Sequence, residues 1–407
     1  MTIRLAICAD FAEERWPSMD RVARTLDHEL QRMHRATIDA TMVCPRFVRV
    51  ATRLPLAGRT RVASSADRFL NRFWTYPRVL ERVRGDYDLF HIIDHSYAHL
   101  AHALPAARTI VTCHDLDAFR SLLHPGKERR SGPFRTMTSD ILTGLQRAAR
   151  VTCDTAAIRD ELVARGLVRE DRLVVAPLGV SHLFSGAPAP EADRRAERLV
   201  RSGPGALEIL HVGNTASRKR IDVLLRVCGA VREAFPELRV IRVGAPLTSE
   251  QERVMHDVGL ADRLVAVNDV DEDTLAALYR RAALVLQPSD REGFGFPVLE
   301  ALASATPVVA SDLPVLREIG GAAAEYCPPG DIGAWVRTVA GLLRERCDEP
   351  DRWQARRDRA RQQAQRFTWP RFASALVAIY RDVAERAGTQ PAPTRSDTVK
   401  EQRCPNT

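Results

Sequence analysis

Two glutamates, Glu292 and Glu300, have seven residues between them in the run Pro288-Ser-Asp-Arg-Glu292-Gly-Phe294-Gly295-Phe296-Pro297-Val-Leu-Glu300. Glycines at 293 and 295 let backbone amides face a ligand, and Pro297 suits the first position of a helix. The loop therefore opens onto a helix N-terminus, which attracts anions. Glu292, in the loop, can accept hydrogen bonds from sugar hydroxyls. Glu300, expected three residues into the helix, is within reach of a ribose hydroxyl pair. An acid in a first helical turn also complements the macrodipole, so Glu300 alone leaves both readings open.

A second segment reads Leu-His211-Val-Gly213-Asn214-Thr-Ala-Ser217-Arg218-Lys219-Arg220-Ile-Asp222. An apolar strand ends at Gly213 and a helix is expected to begin near Lys219 or Arg220. Three consecutive cations at a helix start oppose the macrodipole and call for an anion to offset them. A diphosphate fits that place, with backbone amides and charge-assisted hydrogen bonds from Arg218 and Lys219. The other reading is a basic helix start on the surface. His211 reads as a strand histidine without an assigned role.

The elements that must position these residues follow an alternation. Strands are expected at 3–9, 37–43, 87–93, 109–113, 151–153 and 173–176, with amphipathic helices between them. The alternation restarts with strands at 207–212, 238–243, 264–267, 284–287 and 307–310. β-branched runs separated by helices indicate parallel, doubly wound sheets, so the fold class is α/β with two Rossmann-like domains facing across a cleft. In such sheets ligands bind beyond the carboxyl ends of the strands, where both segments lie. The expected organisation is a first domain over 1–184, a Pro/Gly-rich linker over 185–205 and a second domain over 206–366. A C-terminal helix over 367–387 and a disordered tail over 388–407 follow.

Composition narrows the setting. The 407 residues suffice for two cores, and no apolar run approaches the roughly 20 residues that span a bilayer. The N-terminus reads as a strand rather than a signal peptide, and the eight cysteines are isolated, which suits a reducing cytoplasm. The net charge is +8, and ten arginines against Asp67 and Glu81 lie within 44–84. A concentrated basic surface fits an anionic partner or a solvated loop. No nucleic-acid motif accompanies it, so nucleic acid is not an expected partner. Phe69, Phe73, Trp74, Tyr76 and Leu80 are interleaved with Arg68, Arg72 and Arg78. That stripe fits peripheral contact with an anionic membrane at the inner face, or plain core packing.

The second half resembles retaining glycosyltransferases of family 4, which have two Rossmann-like domains (the GT-B architecture) and an E-x7-E pattern. The resemblance rests on Glu292 to Glu300, on Thr306-Pro-Val-Val-Ala-Ser-Asp312, on Leu316-Arg-Glu-Ile-Gly-Gly321 and on Pro328-Pro-Gly-Asp331. It also includes Ala176-Pro-Leu-Gly-Val180 and Gly213 to Lys219. It spans about 173–343 and covers the first domain more loosely.

What the resemblance implies can be placed on this chain. Arg218 and Lys219 match a pair on the donor diphosphate, Glu292 a glutamate near the transferred sugar, and Glu300 one at the nucleoside ribose. Gly213, Asn214, Phe294, Gly295 and Phe296 match donor-loop positions, while Val267 and Asn268 fall where the base is held. His114 matches a histidine facing the donor sugar. The resemblance thus implies a sugar transferred from a nucleotide-diphosphate donor to a glycan or lipid-linked acceptor, with no cofactor and no metal. Bacterial surface polysaccharide or glycoconjugate synthesis is the implied setting. The final helix is similar to one that crosses back to brace the first domain.

Two departures stand out. Asp10-Phe-Ala-Glu-Glu-Arg-Trp16-Pro17 replaces a Gly-Gly loop after the first strand, which reshapes the acceptor side around Asp10 and Trp16. Ala305 stands where glycine is usual, with an effect expected on packing only. His95, among His91, His99 and His102, is placed near the acceptor. These histidines do not share one helix face, so a metal site is not expected.

Other activities remain in view. A sugar-nucleotide epimerase of the same fold and a noncatalytic sugar-nucleotide-binding protein both fit the donor segments. With three lysines there is no candidate for a pyridoxal-bearing phosphorylase lysine. No G-x-G-x-x-G follows the first strand, as a nicotinamide dehydrogenase would require.

Overall fold

In the computed structural model the chain divides into two compact units. Described are residues 2–14, 16–54, 60–201 and 207–388. Unit 1 comprises the described residues of 1–178 and 369–407, and unit 2 those of 179–368.

Unit 1 is built on six parallel strands: β1 (Ile3–Cys8), β2 (Ile38–Val43), β3 (Leu89–Ile92), β4 (Thr109–Cys113), β5 (Arg150–Cys153) and β6 (Leu173–Val175). Their order is β2-β1-β3-β4-β5-β6. Leu5, Ile7, Leu89, Phe90, Ile110 and Val111 are all fully buried, as befits strands covered on both faces. The chain reverses direction across the sheet between β1 and β3. The segments beyond these strands, residues 9–11 and 93–95, therefore flank the switch point where doubly wound sheets bind ligands.

Unit 2 repeats the plan with β7 (Glu208–Val212), β8 (Arg239–Val243), β9 (Leu264–Val267), β10 (Leu284–Gln287), β11 (Val308–Ser311) and β12 (Glu325–Cys327), in the order β12-β11-β10-β7-β8-β9. Its switch point lies between β7 and β10. The core gathers Ile209, Leu224, Val240, Leu286, Val309 and Trp335.

Within the stretch read as a linker, Pro190–Val200 is a helix with Ala192, Ala196 and Val200 buried. Asp193 on it pairs with Arg280 at 2.7 Å, so it packs as part of unit 2. Residues 202–205 lie outside the described residues, as does the tail from 389. The last helix, Trp369–Arg386, belongs to unit 1. Its Tyr380 hydroxyl is 2.7 Å from His91 Nδ1, and its Asp382 pairs with Arg150 at 2.8 Å.

Candidate functional site

The two chemistry-bearing segments of unit 2 meet at the switch point. After β7, a 3-10 turn over Ser217–Lys219 precedes the helix Ile221–Arg232, and Arg220 between them adopts a left-handed φ of 48°. After β10, the loop from Pro288 ends at Gly295, whose φ of 95° suits glycine, and the helix Phe296–Ala303 begins. Pro297 is thus the second helical residue rather than the first, and Glu300 lies a full turn in. A Cβ on Gly295 would also meet the Leu316 side chain at 2.7 Å.

Glu292 is the centre of this site. Its side chain is 6% exposed. Lys219 Nζ donates to Oε1 at 2.7 Å and Arg218 Nη1 to Oε2 at 3.2 Å. Ser289 Oγ donates to Oε1 at 2.7 Å, and Gln287 Nε2 donates there as well. Burial works to raise its carboxyl, but Lys219 and then Arg218 outweigh it and hold the group below the usual 4.5. The anion that the cations at this helix start require is therefore supplied in part by the protein. Arg220 is committed elsewhere, to Asp222 at 2.9 Å and Asp290 at 3.0 Å, which leaves Arg218 and Lys219 as the pair beside Glu292.

The remaining donor-side candidates spread along the same sheet edge. Glu300 is buried and accepts from the Tyr279 hydroxyl at 2.9 Å. Phe294 is buried edge-on to Phe296 at 5.1 Å. Val267 ends β9 with its carbonyl taken by Gly244 N–H at 3.0 Å, while Asn268 is exposed. Asn214 is exposed too, its Oδ1 accepting from Ala216 N–H at 3.1 Å.

In unit 1 the candidates gather at the other switch point. Asp10 follows β1, Asp94 and His95 follow β3, His114 and Asp115 follow β4, and Asp154 follows β5. Asp10 is buried, and burial together with the neighbouring Asp94 raises its carboxyl well above the ordinary range. Asp94, against its burial, is held low by His95 and His114. His95 sits between two carboxylates, Nδ1 3.3 Å from Asp94 and Nε2 3.4 Å from Asp115. Trp16 is 56% exposed at the start of the helix Pro17–Met33.

His114 has no free ring nitrogen. Nδ1 donates to Asp154 at 2.7 Å and Nε2 to the Ile93 carbonyl at 2.8 Å. Donating from both nitrogens makes it an imidazolium. Burial opposes that charge, but Asp154 outweighs burial and lifts its pKa to about 9. The other histidines find separate partners: His91 binds Tyr380 and Thr112, and His99 binds the Arg72 carbonyl. Among the described residues no cluster has the makings of a metal site.

Two family models match the chain. The model described as "Glycosyltransferase Family 4" covers residues 21–182, and the one described as "Glycosyl transferases group 1" covers 198–366. The chain belongs to glycosyltransferase family 4. A D-inositol 3-phosphate glycosyltransferase from Salinispora arenicola is 29% identical, over 76% of this chain and 72% of that protein. Sucrose-phosphate synthase from Thermosynechococcus elongatus has the same fold, with a TM-score of 0.69 at 19% identity over 94% of this chain and 99% of that one. Anabaena HepE, solved in complex with UDP and glucose, matches with a TM-score of 0.66 at 15% identity, over 95% of this chain and 99% of that one.

The basic stretch of this glycosyltransferase divides in two. Asp67 is buried and anchors the turn before it, accepting backbone N–H bonds from Val50, Ala51 and Thr52. Tyr76 and Leu80 are core, whereas Phe69 is 58% and Trp74 60% exposed. The stripe is therefore neither wholly core nor wholly surface, and residues 55–59 of the basic stretch lie outside the described residues. Among the described residues no helix is long and apolar enough to cross a membrane. Sequence reasoning assigned nothing to Asp94, Asp154, Gln287 or Ser289. The carboxylates at successive strand ends could have been found by inspecting the first two residues beyond each strand.

Proposed function

We propose that this glycosyltransferase moves a sugar from a nucleotide-diphosphate donor to a glycan or lipid-linked acceptor with retention of configuration and without a metal. The observation that carries the reading is the convergence of Arg218, Lys219 and Glu292 at the ends of β7 and β10. A departing nucleoside diphosphate gathers negative charge, and two preorganised cations can stabilise it where a divalent ion otherwise would. Glu292 then faces the transferred sugar, with Glu300 and Tyr279 at the ribose. Phe294 to Phe296 supply loop amides, Gly213 and Asn214 line the phosphate side, and Val267 and Asn268 lie toward the base.

The acceptor belongs to unit 1 in this reading, at Asp10, Trp16 and His95. The buried carboxyls of Asp10 and Asp94 can hydrogen-bond acceptor hydroxyls. His114, already bridged to Asp154 and Ile93, contributes a fixed positive charge beside that pair. The relative named for D-inositol 3-phosphate makes a phosphorylated polyol a further acceptor to test. Exposed Phe69 and Trp74 amid arginines support peripheral contact with an anionic membrane at its cytoplasmic face, in bacterial surface-glycan synthesis.

Thermal shift in EDTA against UDP, GDP, ADP and their hexose conjugates tests the donor reading. Stabilisation by one nucleoside diphosphate and its sugar is expected; no shift with any of them would overturn it. An acceptor-independent epimer as product would favour the epimerase instead.

A further inference from the structure

A buried charge in unit 2 lacks a counter-ion. Arg242 in β8 has no exposed surface, and among the described residues no carboxylate pairs with it. Its guanidinium donates instead to two backbone carbonyls, Gly213 through Nη2 at 3.2 Å and Ala245 through Nη1, and its Nε has no partner. Arginine cannot discharge itself by losing a proton, so the fold carries this charge at a cost. Such a charge in a buried strand raises the question of which anion balances it.

The carbonyl it holds belongs to the loop of Arg218 and Lys219. Gly213 O is confined on two sides. Arg242 binds it, and a Cβ on Gly244 would lie only 2.0 Å from it. Gly213 N–H donates to Val243 O at 3.0 Å, which fixes the residue from the amide side as well. The peptide that follows is trans and planar, so turning the Gly213 carbonyl toward β8 turns the Asn214 N–H the opposite way, outward from the end of β7.

No neighbour neutralises Arg242. His211, its register partner in β7, is buried with both ring nitrogens unpartnered. Burial, and then Lys219 and Arg242, push its pKa down to about 3, so it stays uncharged. Glu292 is already shared by Lys219 and Arg218. Arg218 and Lys219 thus have one carboxylate between them, and Arg242 is held by backbone carbonyls alone.

We propose that Arg242 is a positioning residue and the third cation of the diphosphate site. It holds the Gly213 carbonyl inward so that Asn214 N–H meets the diphosphate, whose charge balances the guanidinium. The assignment rests on the donor reading above. It differs from Arg218 and Lys219 in acting from beneath the loop, through backbone and field rather than by contact.

Calorimetric titration of the full-length protein and of R242Q and R242K with inorganic pyrophosphate in EDTA tests it, with UDP and uridine as a second pair of probes. R242Q is expected to bind pyrophosphate about tenfold more weakly, the scale of one charge-assisted hydrogen bond, and to lose UDP affinity without losing uridine affinity. R242K, which keeps the charge but not the planar fork, is expected to lose about threefold. Should R242Q fail to fold, the R242K loss carries the test. Folded variants that bind pyrophosphate as tightly as wild type, or lose UDP and uridine equally, would overturn the proposal. A wild-type protein that binds no pyrophosphate or UDP would instead bring down the donor reading itself.

Discussion

Replacing Glu292 by glutamine keeps the shape of the side chain and removes one charge from the most connected group in unit 2. Arg218 and Lys219 against one carboxylate leave a net charge of +1, and E292Q raises it to +2. At about 6 Å and an effective dielectric constant near 20, one added charge acting on one phosphate charge is worth about 3 kcal/mol before screening. Arg218 is 26% exposed and open to water, so about half of that is expected to survive, or roughly tenfold in affinity. Pyrophosphate and nucleoside diphosphates should therefore bind more tightly to E292Q. Turnover should move the other way, falling about 10²-fold, because the group that orients the sugar and sets the geometry of both cations is lost. Calorimetry for affinity and a coupled assay of diphosphate release for turnover read the two effects separately. Wild-type affinity in E292Q would refute the claim that Glu292 competes with the ligand for these cations. Wild-type turnover would remove it from the reaction.

Further outcomes follow from the same geometry. Because Glu292 titrates below 4.5 in the folded protein, its contribution to stability is present above that pH and is lost on acidification through its folded value. Denaturant melts of E292Q should lack that acid-side loss. His114 behaves in the opposite sense. Raised from 6.5 to about 9, it stabilises fully below 6.5, and about 3 kcal/mol is lost as pH rises through 9. D154N should flatten this alkaline loss, and an imidazole titration by NMR that leaves the His114 pKa at wild type would contradict it. Ala305 has a φ of 57°, so A305G should raise stability by about 1 kcal/mol in urea melts; a loss would contradict the strain. Serine at Phe69 and Trp74 should reduce sedimentation with phosphatidylglycerol vesicles while leaving donor binding intact. Equal sedimentation would argue against membrane contact.

Much of the fold was legible because parallel strands buried on both faces leave continuous apolar runs. Eleven expected strands match observed ones within a residue or two at each end. The strand Glu325–Cys327 escaped because three residues beside Pro328 and Pro329 carry no period. Pro190–Val200 reads as a charged helical piece between Pro-rich and Gly-rich segments, and the burial of Ala192 and Ala196 ties it to unit 2. The effect assigned to Ala305 was packing, whereas its left-handed backbone is the larger consequence, and a dihedral cannot be read from a side chain.

At the site, residue types were easier to read than partners. Glu292 and Lys219 stand far apart in sequence, and only the β7–β10 neighbourhood makes them an ion pair. Arg220 looked equivalent to Arg218 until Asp222 and Asp290 were seen to hold it. Arg242 sits in Arg-Val-Ile-Arg-Val, where its burial contradicts its chemistry, and no spacing rule announces the carbonyls it binds.

Release of nucleoside diphosphate from a panel of nucleotide sugars, in EDTA and with acceptor present, bears most directly on the central claim. Wild type should turn over one donor without metal, and K219A should lower that turnover by about 10²-fold, as expected when a stabiliser of developing charge is removed. Activity that appears only on adding Mg²⁺, or a K219A enzyme as fast as wild type, would contradict it.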